Sequence, residues 1–290
     1  MLVRDAVSAG LYTGPAQICK ELEGNGSVPP SRGTIRRWAS GATSPFSGKR
    51  IFDRQPSPEL SFFLGAWLGD GWADENDGGK RMLLKVRSYD FAKEFADCAA
   101  RVLHKTDSYW VRRVNDKRGK WYLVKVTSFQ LLECVDQPFE SLRNLIEPFP
   151  KPFLRGIFTA EGNPQISIWQ RGGPGLDVGL TVSNSDHALL QTTRTLLSSL
   201  NFHPGTIRLN TRAGSRTNLG IASNDVSMMN LSRFEEVQGF ARTIGFADPR
   251  KQDKLEEAIA LVRKLGHKAA AVEWVKLYRK IKGEWVRRET

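Results

Sequence analysis

Two stretches decide the reading: Phe63-Leu64-Gly65-Ala66-Trp67-Leu68-Gly69-Asp70-Gly71 and Leu154-Arg155-Gly156-Ile157-Phe158-Thr159-Ala160-Glu161-Gly162. Both belong to segments opened by proline, the first by Ser57-Pro58, a helix cap followed by Pro at the first helical position. Gly65 matches Gly156 and Asp70 matches Glu161, each at a spacing of 91 residues. Small residues lie four apart, Gly65 with Gly69 and Gly156 with Ala160, so each helix carries them on one face. Such a stripe lets two helix backbones approach closely. Gly71 and Gly162 read as helix terminators in the left-handed conformation, which sets Asp70 and Glu161 side by side at one end of a helix pair. Two adjacent carboxylates repel, and both lie at the negative ends of helix dipoles. An oxygen-preferring divalent cation makes the arrangement tolerable, and Mg²⁺ fits.

Outward from each stretch the chain repeats one order of elements. Strand-like alternation occupies residues 80–88, 109–115 and 120–127 in the first half, with 116–119 as a hairpin turn. In the second half it occupies 165–171, 176–183, 206–212 and 218–223. Helices are predicted at 91–103, 129–134, 187–200 and 231–244. A repeat of about ninety residues is too long for a solenoid and reads as an internal duplication. The fold class is therefore α+β: two pseudo-symmetric αββαββα lobes with antiparallel sheets forming saddles, plus a small helical N-terminal module. The boundaries are 1–55, 56–150, 151–265 and a basic helical tail at 266–290. Pro164 is expected to distort the first strand of the second lobe.

The paired motifs resemble the LAGLIDADG signature, including its penultimate acid and terminal glycine, and the resemblance covers roughly residues 57–260. It departs from the consensus at the interior acid, which is Leu68 in one copy and Thr159 in the other. What the resemblance implies is a monomeric, intron-encoded homing endonuclease that hydrolyses one phosphodiester per lobe across the minor groove and leaves 3′ overhangs. Asp70 and Glu161 would be catalytic and metal-binding, with Gly69 and Ala160 as the neighbouring ligand positions. Mn²⁺ would substitute for Mg²⁺, and Ca²⁺ would bind without supporting cleavage. A basic residue in each lobe would polarise the phosphate: Lys151 and Lys251 occupy matching places, with Arg87 a further candidate. Two other readings stay open, an RNA maturase on the same fold and a non-catalytic DNA-binding regulator. Retention of both acids favours the nuclease.

Double-stranded DNA is the expected partner. Formal net charge is +12, and each Lys or Arg placed on a phosphate releases condensed counterions. In residues 80–88, Met82, Leu84 and Val86 point one way while Arg81, Leu83, Lys85 and Arg87 point the other; in 206–212, Ile207 and Leu209 face the core. The candidate DNA contacts are Arg81, Lys85, Arg87, Arg112, Arg113, Lys120 and Lys125 in the first lobe, and Arg208, Asn210, Arg212 and Arg216 in the second. Two saddles side by side would cover about 20 bp. The N-terminal module has a helical stretch at 16–23 and a second helix at 31–38 capped by Ser31, with Arg32, Arg36 and Arg37 polar and Ile35 and Trp38 buried. It resembles a helix-turn-helix, and Arg36 and Arg37 join the DNA-contact list.

Composition closes other routes. Cys19, Cys98 and Cys134 form no CxxC pair, and the four histidines form no ligand-spaced cluster, which argues against a disulfide framework, a zinc ribbon or a histidine-metal nuclease. No apolar run reaches the ~18 residues of a membrane span, so no membrane partner is expected. The N-terminus carries no signal or transit character, and neither end has an intein splice residue. The expectation is a free-standing intracellular enzyme of a prokaryote, archaeal rather than organellar.

Overall fold

The computed structural model describes residues 31–39, 52, 54–74, 81–117, 119–170, 173–217, 220–281 and 283–288. The chain divides into two compact units, Met1–Arg50 and Ile51–Thr290. In the first unit the described element is α1 (Arg32–Ala39), capped by Ser31, whose Oγ accepts from the Thr34 amide at 3.2 Å. Arg32, Arg36 and Arg37 are exposed on it. The expected helix at 16–23 and the side chains of Ile35 and Trp38 lie outside the described residues.

The second unit holds both lobes. The first runs α2 (Pro58–Asp70), β1 (Gly71–Asp74), β2 (Arg81–Val86), α3 (Tyr89–Val102), β3 (Val111–Asp116), β4 (Gly119–Val126) and α4 (Phe129–Val135). A 3₁₀ turn (Phe139–Leu142) and the short α5 (Arg143–Ile146) lead into the second. That lobe runs α6 (Pro150–Glu161), β5 (Gly162–Trp169), β6 (Gly175–Asn184), α7 (His187–Ser199), β7 (Arg208–Thr211), the small hairpin β8 (Arg216–Thr217) and β9 (Gly220–Ile221), β10 (Val226–Leu231) and α8 (Phe234–Thr243). Each lobe carries a four-stranded antiparallel sheet, in the orders β1-β2-β4-β3 and β5-β6-β10-β7. The orders are equivalent: first, second, fourth, third. The αββαββα repeat is present twice.

Local chemistry sets these boundaries. Serine hydroxyls cap α2, α3 and α4: Ser57 accepts from Leu60 N, Ser88 from Phe91 N and Ser128 from Leu131 N. Asp186 caps α7 through the Ala188 and Leu189 amides. Helix α2 is buried continuously from Leu60 to Trp67, so it has no solvent face to spare and serves as the central post of the core. Phe62, Phe63, Phe95, Phe153 and Phe158 join one apolar cluster that runs through both lobes.

Several expectations need correction. Strand β1 begins directly at Gly71 and was not anticipated. Nor was β10, an interior strand of its sheet: only Met229 and Leu231 are buried along it, so its alternation is faint. Of the expected strand 218–223 the described part is 220–223, where Gly220 and Ile221 pair in the two-residue β8–β9 hairpin. Leu209 lies on the helix side by its pairing with Ser227 but is not buried in the core; it is 46% exposed on edge strand β7, next to a register shift. Pro164 does not break β5, which pairs with β6 straight through Pro164↔Leu180, because β5 is an edge strand whose outer side needs no donor.

The tail also differs. Helix α9 (Pro249–Leu277) kinks at Gly266, where φ is 74°, and continues past 265 with Ala270, Ala271 and Trp274 buried. The chain then turns into a hairpin, β11 (Tyr278–Ile281) with β12 (Glu284–Arg287). Trp274 stacks on Tyr278 at 3.9 Å between centroids, and Trp285 donates Nε1–H to the Ile166 carbonyl. The described residues of 266–290 (266–281 and 283–288) therefore continue the second lobe's core rather than forming a helical basic appendage.

Candidate active site

Helices α2 and α6 cross at their glycines. An ideal Cβ on Gly65 would lie 2.3 Å from the Phe153 carbonyl oxygen, and one on Gly156 would lie 2.5 Å from that of Phe62. The contacts are reciprocal, glycine to opposing backbone, so the small-residue stripe does what its spacing implied. At the far end a Cβ on Gly69 would sit 2.4 Å from the Ala160 Cβ and 3.1 Å from the Glu161 Cγ. The last turns of the two helices, and with them Asp70 and Glu161, adjoin.

The terminators work differently from expectation. Gly71 (φ −84°, ψ 154°) and Gly162 (φ −91°, ψ 157°) are extended, not left-handed. Glycine is required by crowding instead: a Cβ would meet the Trp67 ring at 2.4 Å in one copy and the Phe158 oxygen at 2.6 Å in the other. Each motif thus turns straight from helix into strand, folding back over its own aromatic residue. The duplicated motif helices, paired through glycine, with two equivalent sheets attached, decide the architecture. The fold is LAGLIDADG-like.

No family model matches the chain. An uncharacterized protein of Methanocaldococcus jannaschii, MJ0398, is 28% identical over 251 residues, covering 84% of this chain and 87% of its own length. The chain is also similar to solved structures of I-DmoI in complex with DNA and Ca (19% identity, 69% of this chain and 97% of that one, TM-score 0.47). Further likenesses are the I-LtrWI LAGLIDADG homing endonuclease bound to target DNA (9% identity, 75% and 96%, TM-score 0.46) and the N-terminal LAGLIDADG domain of DUF199/WhiA (18%, 67% and 86%, TM-score 0.42).

Around the paired acids Asp70 and Glu161 the structure is asymmetric. Glu161 accepts a hydrogen bond from Asn184 Nδ2 at 3.0 Å. The Lys251 amine, on the first turn of α9, donates to the carbonyls of Thr159 and Gly162, both at 2.7 Å. It therefore satisfies backbone acceptors left over at the C-terminal end of α6 and offsets that end's negative pole. Thr159, where the consensus has an acid, is buried; its hydroxyl donates to Arg155 O and accepts from Ala247 N at 2.8 Å, tying α6 to the approach of α9. Neither the Asn184 contact nor the tether made by Thr159 was anticipated. Asn184 reads in sequence as a turn residue ahead of the Asp186 cap, and nothing local points it at Glu161.

Among the described residues the first lobe has no such attendants. The pairs Gly71↔Leu84 and Gly162↔Val182 equate Leu84 with Val182, so Val86 stands where Asn184 stands in the second lobe. Lys151, the expected partner of Lys251, is exposed on the first turn of α6, about 15 Å along the axis from Glu161. It lines a groove with Glu59, Arg101 and Arg155 at the opposite end of the helix pair. Lys151 is not part of this site.

The two acids are held in an unfavourable electrostatic setting. Asp70 keeps solvent-exposed surface and Glu161 is half-buried, yet the packed helix ends crowd both from the protein side. Burial raises the Asp70 carboxyl above its ordinary range, opposed by the Lys251 charge. Glu161 is pushed up to about 7 by burial and then by the Asp70 charge, with Lys251 and Asn184 pulling the other way. Burial lowers the Lys251 amine, against the attraction of Asp248, Asp70 and Glu161. Among the described residues no cluster of three or more His, Cys, Asp or Glu is arranged to hold a metal ion. The donor set is two carboxylates at adjoining helix ends, which suits a hard cation that keeps most of its waters.

A pH dependence follows. The folded-state value of Glu161 lies above its ordinary 4.5, so its contribution to stability is complete in acid and is lost as pH rises through about 7. In chelator, the parent protein is expected to lose thermal stability between about pH 5 and pH 8. Glu161→Gln should melt above the parent at the alkaline end, with the gap closing in acid. Parallel melting profiles for the two proteins would remove the electrostatic account.

The remaining predicted residues separate by face. The helix-covered face of the first sheet carries Met82, Leu84, Val86, Val124 and Val126, all buried. Register places Arg81, Lys85, Arg87, Arg112 and Lys125 on the other face, as expected. Arg113 and Lys120 fall on the helix side instead, because Arg113 pairs with Tyr122 and Lys120 with Asn115, one residue out of phase. In the second lobe Arg208 pairs with Met228 on the open face, Asn210 sits at the register shift, Arg212 follows β7, and Arg216 lies on the β8–β9 hairpin. The open face of β5 presents Asn163, Gln165, Ser167 and Trp169, a neutral polar row that a search for basic residues overlooks.

Proposed function

We propose that the chain is a site-specific DNA endonuclease that uses a divalent cation, Mg²⁺ in the cell, to hydrolyse both strands of a long target across the minor groove and leave 3′ overhangs. One observation carries this: two carboxylates are driven together at adjoining helix ends, where burial raises both, the Asp70 charge raises Glu161 further, and the nearby lysine is already committed to two backbone carbonyls. Stability alone does not ask for such a pair, since acids at helix C-termini oppose the dipole. Asp70 and Glu161 would hold the cation, with Gly69 and Ala160 shaping the gap. When bound, such a cation supplies charge neutralisation at the scissile phosphate and eases ionisation of an attacking water. Asn184 orients the Glu161 carboxylate. Lys251 fixes the turn that carries Glu161 and adds a positive charge beside the phosphate.

The open faces of the two sheets would lie along the DNA. The first offers Arg81, Lys85, Arg87, Arg112 and Lys125 for phosphates and guanine edges; the second offers Asn163, Gln165, Ser167, Thr181 and Arg208 for base edges. The DNA complexes of I-DmoI and I-LtrWI agree with this partner, and the I-DmoI crystals with Mn and with Ca agree with a divalent ion. We further propose that the protein acts as a monomer, with lobes at 56–150 and 151 onward, and that Arg36 and Arg37 of the N-terminal unit extend the contact. No helix among the described residues is long and apolar enough to cross a membrane.

Selection of cleaved plasmids from a randomised target library in Mg²⁺ tests the reading; a recovered consensus supports it, and recovery of no preferred site overturns it. Lys251→Met is expected to slow cleavage roughly a hundredfold per folded molecule. Lys151→Ala should leave the rate unchanged, and the reverse result would restore the sequence-based assignment.

A further inference from the structure

The open face of the first sheet carries a feature that phosphate binding does not use. Trp72 on β1 and Trp121 on β4 flank a groove of about 530 Å³, lined also by Lys85, Asp116 and Lys117. Trp72 is 41% exposed. Register puts both indoles on the face away from the helices: Trp72 pairs with Leu83, and Trp121 with Val114 on one side and, next to Val86↔Tyr122, with the Arg87 position on the other.

Trp121 is held by polar contacts. Its Nε1 donates to Asp116 Oδ1 at 2.9 Å, while Asp116 Oδ2 accepts from Lys85 Nζ at 2.7 Å. The Arg87 guanidinium lies 4.7 Å from the centre of the ring and the Lys85 amine 5.2 Å. A ring fixed by a hydrogen bond to its edge, with cations against it, is a pre-set platform on the surface rather than core filling. The fold does not require it. By the same register equivalence the second lobe has Asn163 in place of Trp72, Val226 in place of Trp121, and Ser183 in place of Lys85.

We infer that this groove receives an unstacked nucleobase of a DNA strand. The two indoles offer π-surfaces to any base, and Lys85, Arg87 and Lys117 outnumber Asp116 in charge, which suits the attached phosphates. Paired duplex keeps its bases inside the stack, so a strand that is kinked or locally opened is the form that fits. The inference rests on the DNA-binding reading above and adds a mode of binding to it. It assigns Trp72 and Trp121 a role in distorting or sensing the target.

The test compares binding of the full-length protein, in Ca²⁺ to suppress cutting, to a duplex with a short unpaired thymine bubble and to the same duplex fully paired. The bubble is expected to bind about tenfold tighter. Trp72→Ala and Trp121→Ala should each remove that preference while leaving affinity for paired duplex unchanged, and Trp121→Phe should retain most of it. With 5-iodouracil in the bubble, photocrosslinks should map to Trp72 or Trp121. Equal binding of both duplexes, or a preference that survives both alanine variants, overturns the inference and leaves DNA binding standing. Failure to bind either duplex overturns the DNA-binding reading itself, and this inference with it. Tryptophan-dependent preference for an RNA strand of the same sequence over the DNA bubble would overturn the assignment to DNA.

Discussion

Asp70→Asn and Glu161→Gln are each expected to abolish cleavage of a selected target, by about a thousandfold or more, while binding to that target in Ca²⁺ stays within severalfold of the parent. Both substitutions keep shape and hydrogen-bonding capacity and remove only charge. Packing gives no reason for a loss: Asp70 keeps exposed surface, and among the described residues the Glu161 side chain has one hydrogen-bond partner, Asn184. A thousandfold is roughly 4 kcal/mol of barrier, within what a cation contributes when it neutralises a phosphate and eases ionisation of water. Binding is spared because the phosphate contacts are spread over the sheet faces, and removal of one anion relieves repulsion toward DNA. Linearisation of supercoiled plasmid beside a gel-shift titration reads both quantities. A variant that cuts at the parent rate would take its carboxylate out of the chemistry.

Gly65→Ala and Gly156→Ala carry the largest expected loss of stability. The new methyl group would lie 2.3 Å from Phe153 O in the first case, and 2.5 Å from Phe62 O and 2.7 Å from Ala66 N in the second. All of these are backbone atoms, so no side chain can rotate away, and the helices must part. They are wedged among Phe62, Phe63, Phe153 and Phe158, each 2% exposed or less, and a close-packed core resists such a shift. Overpacking of this kind costs about 3 kcal/mol or more, or roughly 10 °C of melting temperature at this chain length. Because the same crossing sets the gap between Asp70 and Glu161, any folded remainder should also cut poorly. Unchanged melting of both variants would show that the helices do not approach at these glycines.

How much of this was legible in the sequence depends on how local the cause is. The motif helices, their glycine stripe and their paired acids follow from spacing within a dozen residues, and the structure has them in place. Serine caps and the Asp116–Gly119 turn are equally local. The reason for Gly71 and Gly162 was misread because two demands, a positive φ and a crowded neighbour, select the same residue. Arg113 and Lys120 entered the DNA contacts on basic composition near a hairpin tip, which does not fix phase, whereas pairing turns them to the helix side. Asn184 and Lys251 reach the acids from 23 and 90 residues beyond Glu161, and such meetings are written in the tertiary fold alone. Lys251 was singled out by resemblance; the same reasoning wrongly added Lys151.

The unequal surroundings of the two acids have a consequence for the order of events. Asn184 and Lys251 both attend Glu161's helix end, and the matching position beside Asp70 is the apolar Val86. A duplicated gene whose halves stayed alike would treat the Watson and Crick strands as equals. In this chain the halves differ at the acids, so on the proposed reading the two breaks come at different speeds, and a circle nicked on one particular strand precedes the linear product.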